Sequence, residues 1–355
     1  MCVIFFYVNS NPEKDGYKLI LASNRDEFYA RDTKEVSQWD GVDNCYGGID
    51  MEPGREGGTW LAISGKDGIF KIAALLNLTG EPKPRNAVDS SISSHHPPNQ
   101  TQQKSCNFSS NKTSTTTTNG YKSSTNNYNS ITTATQTNSD EFNHHHIQEQ
   151  LTTPTLHHNN NSLLGRGMLV TDYVRNFGEK FDNVNYNQRL VEDCSKYSAF
   201  NFVSIEIGSP TVPALVTLCS NVPPGLVHYK ENSCYGFGNS LPSAPFEKVR
   251  YGRNRFEQII DSQPQQTELV DELMSLLKCK EKFWPDAELK RRAPNWGEYL
   301  SALNVYVPDC GYGSRTHTVI LIDANNKMHF IEETMRSQDP NGEWCRNHIE
   351  KQFPF

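Results

Sequence analysis

One stretch limits what the whole chain can become: residues 87–161 offer little that a core could use. Asn, Ser, Thr, Gln and His dominate it, in runs such as "STTTTNG" and "NSITTATQTNS". Such a segment buries too little apolar surface to offset the entropy of ordering it, so it reads as a disordered low-complexity insert. It also accounts for most of the low hydrophobic fraction, 35% over 355 residues. Outside it roughly 280 residues remain, enough for one sizeable core. Neither flank carries a full set of elements alone, so 1–86 and 162–355 are expected to form a single domain. Seven of the eleven histidines fall in the insert, His144, His145 and His146 among them. They read as compositional drift, and no metal is expected.

The flanks carry ordered patterns. Apolar runs of strand length occupy 2–8, 17–23, 59–64 and 69–77, divided by Gly, Pro and Asn. Further strands are expected at 200–207, 213–219, 234–239, 316–323 and 327–333. Helical spacing appears at 163–177, 244–261 and 267–279, with Thr267 as the expected N-cap of the last. Strand pairs outnumber helices, and the helices cluster late. That order predicts an α+β fold with antiparallel sheets covered by helices, not alternating βαβ units.

Several function classes drop out. Net charge is −7 without a basic block, so nucleic acid is not the expected partner. Nine scattered cysteines form no C-x-x-C pair, which reads as free thiols in a reducing compartment. "MCVIFFYV" lacks the positive flank and length of a signal peptide. No run reaches the roughly 20 apolar residues of a membrane span, so the expectation is a soluble cytoplasmic protein with at most peripheral membrane contact. "PGREGGTW" at 53–60 has paired glycines, but a strand follows it where a phosphate loop needs a helix, so it reads as a tight turn. No cofactor motif is present. A haem or acyl-lipid site in an apolar cleft needs no linear motif and stays open.

The densest chemistry is "SNRDEFYARD" at 23–32, directly after "YKLILA". If 2–8 pairs antiparallel with 17–23, opposed residue numbers sum to about 25, and Cys2 faces Ser23. Asn24, Arg25 and Asp26 then emerge beside the first residue of the chain. Removal of Met1 would give Cys2 a free amine of pKa about 8, able to serve as base for its own thiol. Arg25 would favour the thiolate and Asp26 would orient the amine or the substrate. The alternative is a small core cysteine followed by an ordinary charged turn.

"MCVIFF", "LILASNRDEFYARDT", "GREGGTWLAIS", "AALLN", "GRG", "FNFV", "YGFGNSLPSAPFEKV" and "YGSRTHTVILID" occur in this order. Together they resemble the NRDE-motif family, the transport and Golgi organisation protein 2 homologues, over nearly everything outside the insert. The resemblance implies an N-terminal-nucleophile-like αββα sandwich of two antiparallel sheets between helical layers. It links the chain to Golgi organisation and protein secretion, with further ties to lipid metabolism, mitochondria and haem handling. By the same resemblance Cys2 takes the place of a nucleophile, flanked by Arg25 and Asp26 as catalytic neighbours. Asn77 would give an oxyanion-hole amide, and Arg315 an anion clamp for a carboxylate or phosphate. Asn24, Asn201 and Asn239 are the remaining substrate-binding candidates. The second half of the decapeptide reads as scaffold, and an insert between Asn77 and "GRG" reads as a surface loop away from the site. Two functions follow. One is a secretory-pathway factor that binds a lipid or haem-like ligand. The other is a cysteine amidohydrolase acting on a small amide.

Overall fold

The hairpin at the start of the chain forms, and it is longer than its apolar run. In a computed structural model, which describes residues 1–80 and 163–354, β1 (Val3–Val8) pairs with β2 (Tyr17–Phe28). The register is Val3 to Asn24 and Ile4 to Ser23, two residues beyond the expected pairing. A shift of two keeps every side chain on its expected face. The strand does not end at Ser23: Asn24, Arg25, Asp26 and Glu27 belong to β2. The charged motif is therefore strand and not turn, and β2 lies between β1 and a later strand on its other side.

Before residue 80 the chain adds β3 (Thr33–Gln38), β4 (Cys45–Asp50), β5 (Leu61–Lys66) and β6 (Ile69–Asn77). From residue 163 come α1 (Gly167–Arg175), α2 (Asn183–Glu192), β7 (Phe200–Ile207), β8 (Leu215–Asn221), β9 (Pro224–Tyr229) and β10 (Cys234–Gly238). Then follow α3 (Glu247–Asp261), α4 (Gln266–Leu277), α5 (Ala287–Arg292), β11 (Tyr306–Val307), β12 (Tyr312–Asp323), β13 (Lys327–Met335) and β14 (Trp344–Gln352). The first sheet runs β10-β1-β2-β12-β13-β14, with β11 on β12, and the second runs β3 to β9 without β-crossover. All pairings are antiparallel. This is a mixed α+β protein. The expectations for 87–161, disorder and the His144–His146 run included, lie outside the described residues.

Three apolar clusters give the layering. Ile4, Phe6, Leu19 and Leu21 of the first sheet pack with Ile63, Phe70, Ile72 and Ile205 of the second. Their neighbours Val3, Phe5, Ile20 and Ala22 face Phe246, Phe256, Leu273 and Leu277 of the α3–α4 region. On the far side of the second sheet, Ala73, Phe200 and Phe202 meet Leu169, Tyr173 and Leu190 of α1 and α2. Strands covered on both faces need apolar residues on both, which explains the unbroken run "VIFFYV". Gly252 lets α3 approach, because a Cβ there would lie 2.2 Å from the Phe5 ring. Helix α4 starts one residue before Thr267, with Gln265 at its N-cap position. The Leu269 N–H closes the first turn on the Gln265 carbonyl at 2.8 Å, so Thr267 is not the cap. No helix among the described residues is long and apolar enough to cross a membrane.

Two buried titratable groups pull stability in opposite directions. Glu332 in the inter-sheet layer accepts from Val36 N–H of β3 at 2.9 Å, and burial lifts its carboxyl to about 7. His317 of β12 lies 2.7 Å from Asn24 Oδ1 and stacks on Trp344, and burial lowers it to about 3. Between pH 4.5 and 6.5 the unfolded histidine holds a proton the native one lacks, so this group adds stability as pH rises. Over the same window native Glu332 holds a proton the unfolded one lacks, so it removes stability as pH rises. Each slope approaches about 1.4 kcal/mol per pH unit. Urea unfolding across that window should therefore show stability rising with pH in Glu332→Gln and falling in His317→Gln, relative to a flatter parent. Parallel curves for both variants would refute the assignment.

Candidate functional site

The polar half of β2 splits by strand parity. Arg25 faces the inter-sheet side and Asp26 the helical side, each at or below 5% exposure. One side chain and the chain terminus hold the Asp26 carboxylate: Ser314 Oγ donates to Oδ1 at 2.5 Å, and the α-ammonium of Met1 lies 3.2 Å from Oδ2. That ammonium also donates to Tyr312 Oη at 2.6 Å. Met1 itself is buried, and its carbonyl accepts from Lys248 Nζ of α3 at 3.2 Å. Lys248 donates as well to the Ala302 carbonyl at 2.9 Å, and burial lowers its pKa. The N-terminus is therefore anchored from three elements: β2, α3 and β12.

Cys2 sits one residue on, with the Asp26 N–H pointing at its sulfur over 3.5 Å. Burial is the main influence on the thiol and pushes its pKa up. The nearby ammonium pulls it down and Asp26 pushes it up, while Arg25 lowers it least. With Met1 attached, the amine next to the thiol is an amide nitrogen and cannot act as its base. Arg25 acts elsewhere: its guanidinium donates to Thr33 Oγ1 at 3.1 Å and lies over the Trp60 ring at 4.4 Å. It has no ion pair among the described residues, and burial lowers its pKa.

Cys2, Arg25 and Asp26 lie at a cleft of about 470 Å³. One wall is the turn 53–60, where Gly54 and Gly57 adopt φ of +78° and +83°. The opposite wall is 163–168, the segment containing "GRG". These walls touch through glycine: Thr59 N–H donates to the Gly167 carbonyl at 3.2 Å, and a Cβ on Gly58 would stand 3.1 Å from Gly167 Cα. They bring Arg55 and Arg166 to the cleft. Arg166 is lowered to about 10 by burial and by its neighbours Arg55 and Arg31. Arg31 itself forms a two-pronged pair with Asp50 at 3.0 and 2.5 Å, and a further pair with Glu27 at 3.2 Å.

Of the sequence candidates, Cys2, Arg25, Asp26, Asn77 and Asn239 all line this cleft. The side chain of Asn77 is exposed at the end of β6, and its carbonyl accepts from Asn239 Nδ2. Asn239 Oδ1 is buried without a hydrogen-bond partner among the described residues. Three candidates are placed elsewhere. Asn24 donates to the Leu277 and Leu303 carbonyls at 2.8 and 3.0 Å on the helical face. Asn201 donates to the Ser240 carbonyl at 2.8 Å. Arg315 is the extra residue of a β-bulge between Ser314 and Thr316, and its guanidinium donates to the Arg31 carbonyl. Each donates to a backbone carbonyl and none lines the cleft, while Asn201 Oδ1 and Arg315 Nε are buried without a hydrogen-bond partner among the described residues. Glu27 and Arg31, read from the sequence as scaffold, line the cleft as well, and so do Thr79 and Leu163 near the ends of the two described stretches. The sequence reading missed Trp60, Arg55, Arg166 and Tyr312, although each sat in a quoted motif. The cleft groups no three His, Cys, Asp or Glu donors suited to a metal ion among the described residues.

The site is thus an arginine-rich cleft beside a tethered N-terminus in a two-sheet α+β protein. The profile of the family described as Transport and Golgi organisation 2 matches residues 1–164 and 148–337. The chain is 49% identical to Transport and Golgi organization protein 2 of Drosophila melanogaster over 355 residues, 99% of each chain. It is 26% identical to the human homolog over 348 residues, 96% of this chain and 95% of that one. The mouse homolog is 25% identical over 358 residues, 99% of this chain and 98% of that one. The chain belongs to the Transport and Golgi organisation 2 family.

If the two glycine walls must touch, a methyl group between them is costly. Gly58→Ala should lower unfolding stability by about 1–3 kcal/mol, the usual cost of overpacking. Chemical denaturation checks this, and an unchanged midpoint would show that the walls move apart freely.

Proposed function

We propose that this protein serves Golgi organisation and secretion by holding an amphipathic anionic ligand, of lipid or haem-like type, in the Arg25 cleft of an N-terminal-nucleophile-type αββα scaffold. The names of its relatives supply the cellular setting. The observation that carries the ligand reading is Arg25, a buried guanidinium with an aromatic face and a hydroxyl as partners but no carboxylate. A buried charge left in that state favours an incoming anion, since charge-assisted hydrogen bonds then replace lost hydration. Arg55 and Arg166 add positive charge at the same opening, and Leu75, Leu163, Leu164 and Met168 add apolar surface for a tail or a macrocycle.

Titration of the purified protein with a fluorescent fatty acid and, separately, with haem tests this. Arg25→Ala should weaken whichever ligand binds by about ten- to a hundredfold, the worth of a hydrogen bond to a charged group. In cells depleted of the protein, that variant should fail to restore secretion while Cys2→Ala succeeds. Equal affinity of Arg25→Ala and parent would remove the ligand reading.

A second reading rests on the amine. The α-ammonium and Asp26 are already 3.2 Å apart, and the Asp26 N–H points at Cys2 Sγ. Loss of Met1 would transfer the free amine to Cys2, giving a cysteine amidohydrolase with Asp26 holding its base. Intact mass decides whether Met1 is removed. If it is, an electrophilic amide probe should label Cys2 well before the partly exposed Cys345. Retained Met1, or equal labelling, excludes the hydrolase.

A further inference from the structure

Away from the cleft, two histidines and a glutamate meet on the helical face of the first sheet, at its β13–β14 edge. His329 is buried on β13, while His348 and Glu350 are exposed on the edge strand β14. Register places Glu350 opposite His329 and His348 opposite Ile331, so the three side chains share one face. Their nearest atoms form a small triangle. His329 Nδ1 to His348 Nε2 is 3.2 Å, His329 Nδ1 to Glu350 Oε1 is 3.4 Å, and His348 Nε2 to Glu350 Oε1 is 3.7 Å.

Hydrogen bonding alone does not satisfy that triangle. His329 Nδ1 has one in-plane position, which carries either a proton or a lone pair. Three groups converge on it, because Gln266 Nε2 at the start of α4 also lies 3.2 Å away. A lone pair there would face the Glu350 oxygen with repulsion, and a proton could serve one partner only. A cation at the centre satisfies all of them together. Donors held about 2.0–2.1 Å from a tetrahedral Zn²⁺ stand about 3.3 Å from one another, close to the three distances found. Glu350 is held for the role by Lys327, whose Nζ lies 2.6 Å from the opposite carboxylate oxygen and leaves Oε1 free. Orienting contacts of this kind belong to metal sites. The Gln266 amide, whose oxygen and nitrogen are assigned by hydrogen bonding, would offer its carbonyl as a fourth donor after rotation, or water would take that place.

From this geometry we propose that His329, His348 and Glu350 form a binding site for a divalent transition metal of the Zn²⁺ type, which staples edge strand β14 to β13. Two imidazoles with one carboxylate favour zinc over the oxygen-seeking Mg²⁺ or Ca²⁺. No residue of this triad lines the arginine cleft, so the proposal stands apart from the ligand reading above.

The test uses the full chain with His144, His145 and His146 changed to Ala, which removes the other run of histidines. Competition with a chromophoric chelator and metal analysis after dialysis should give one tightly bound Zn²⁺ per chain. Zn²⁺ should raise the thermal midpoint, and Co²⁺ should give the visible absorption of a low-coordinate nitrogen–oxygen site. In the same background, His348→Ala or Glu350→Gln should weaken Zn²⁺ by at least about 100-fold, beyond the usual cost of losing an orienting partner. Both positions are exposed enough for the metal-free variants to keep the parent's unfolding midpoint, and that comparison separates lost binding from lost fold. No bound Zn²⁺ in the background chain, or equal affinity in His348→Ala, would overturn the site.

Discussion

An ion pair with almost no solvent around it, the α-ammonium of Met1 against Asp26, fixes how the first sheet can be assembled. A buried carboxylate without a partner costs several kcal/mol, so Asp26 can occupy a central strand only if other elements bring donors to it. Strand β12 brings the Ser314 hydroxyl, the chain's own start brings the ammonium, and Tyr312 Oη of β12 accepts from that ammonium in turn. Helix α3 then closes the arrangement through Lys248, which holds the Met1 carbonyl. Successive residues of β2 thus assign opposite faces of the sheet to different tasks. The helical face stores the tether, and the inter-sheet face presents Arg25 to the cleft.

The bulge in β12 follows from the same demand. Ser314 pairs with Asp26 and Thr316 with Arg25, leaving Arg315 as the extra residue. Bulges turn a side chain away from its regular direction. Here the guanidinium turns to the carbonyls of Phe28 and Arg31, fastening the chain where it leaves β2. Arg31 is then free to pair with Asp50 of β4 at the cleft rim. The Arg315 guanidinium, read as an anion clamp in sequence, thus donates to the backbone of Arg31, whose own side chain lies at the opening.

The parts of the fold most legible in sequence were strands with two buried faces. β1, β2, β5, β6, β7, β8, β12 and β13 are apolar runs; β6 and β7 lie where expected and the others differ by one to five residues, and the edge strand β10 was legible as well, at 234–239. Strands β3, β9 and β14 escaped notice, and all three are sheet edges. An edge strand exposes one face and often one flank, so its pattern is diluted by charge: β14 alternates partly buried and exposed positions along "WCRNHIEKQ". β4 was hidden for another reason. Its Gly47 and Gly48 leave room for the β5 backbone and the Trp60 ring, with a Cβ on Gly48 falling 2.5 Å from that ring. The site was legible where local register decided it, as with Cys2 beside Arg25 and Asp26. It was not legible where it depended on two distant turns meeting, as with Arg55 and Arg166. Asn24, Asn201 and Arg315 fall outside the cleft lining, a placement not legible in sequence because polar residue type says nothing about which backbone carbonyl will claim the side chain.

Charge at the cleft bears on the proposed anion site through the arginines that lack an ion pair. Arg166 is lowered to about 10 partly because Arg55 and Arg31 stand near it, so the three cations oppose one another. Arg25 in turn is among the causes that lower Arg315, also to about 10. Asp50 and Glu27 neutralise Arg31, while Arg25, Arg55 and Arg166 have no ion pair among the described residues. The lining as a whole sets four arginines, Arg25, Arg31, Arg55 and Arg166, against four carboxylates, Asp26, Glu27, Asp50 and Glu56, so an anion of the kind proposed would be drawn to the unpaired guanidiniums and not to a net positive charge. Trp60 moderates the cost of burying Arg25, because a guanidinium is weakly hydrated and stacks well on an aromatic face. The same stacking and the bond to Thr33 hold Arg25 in place, so an anion of the kind proposed would meet a donor whose ordering has already taken place.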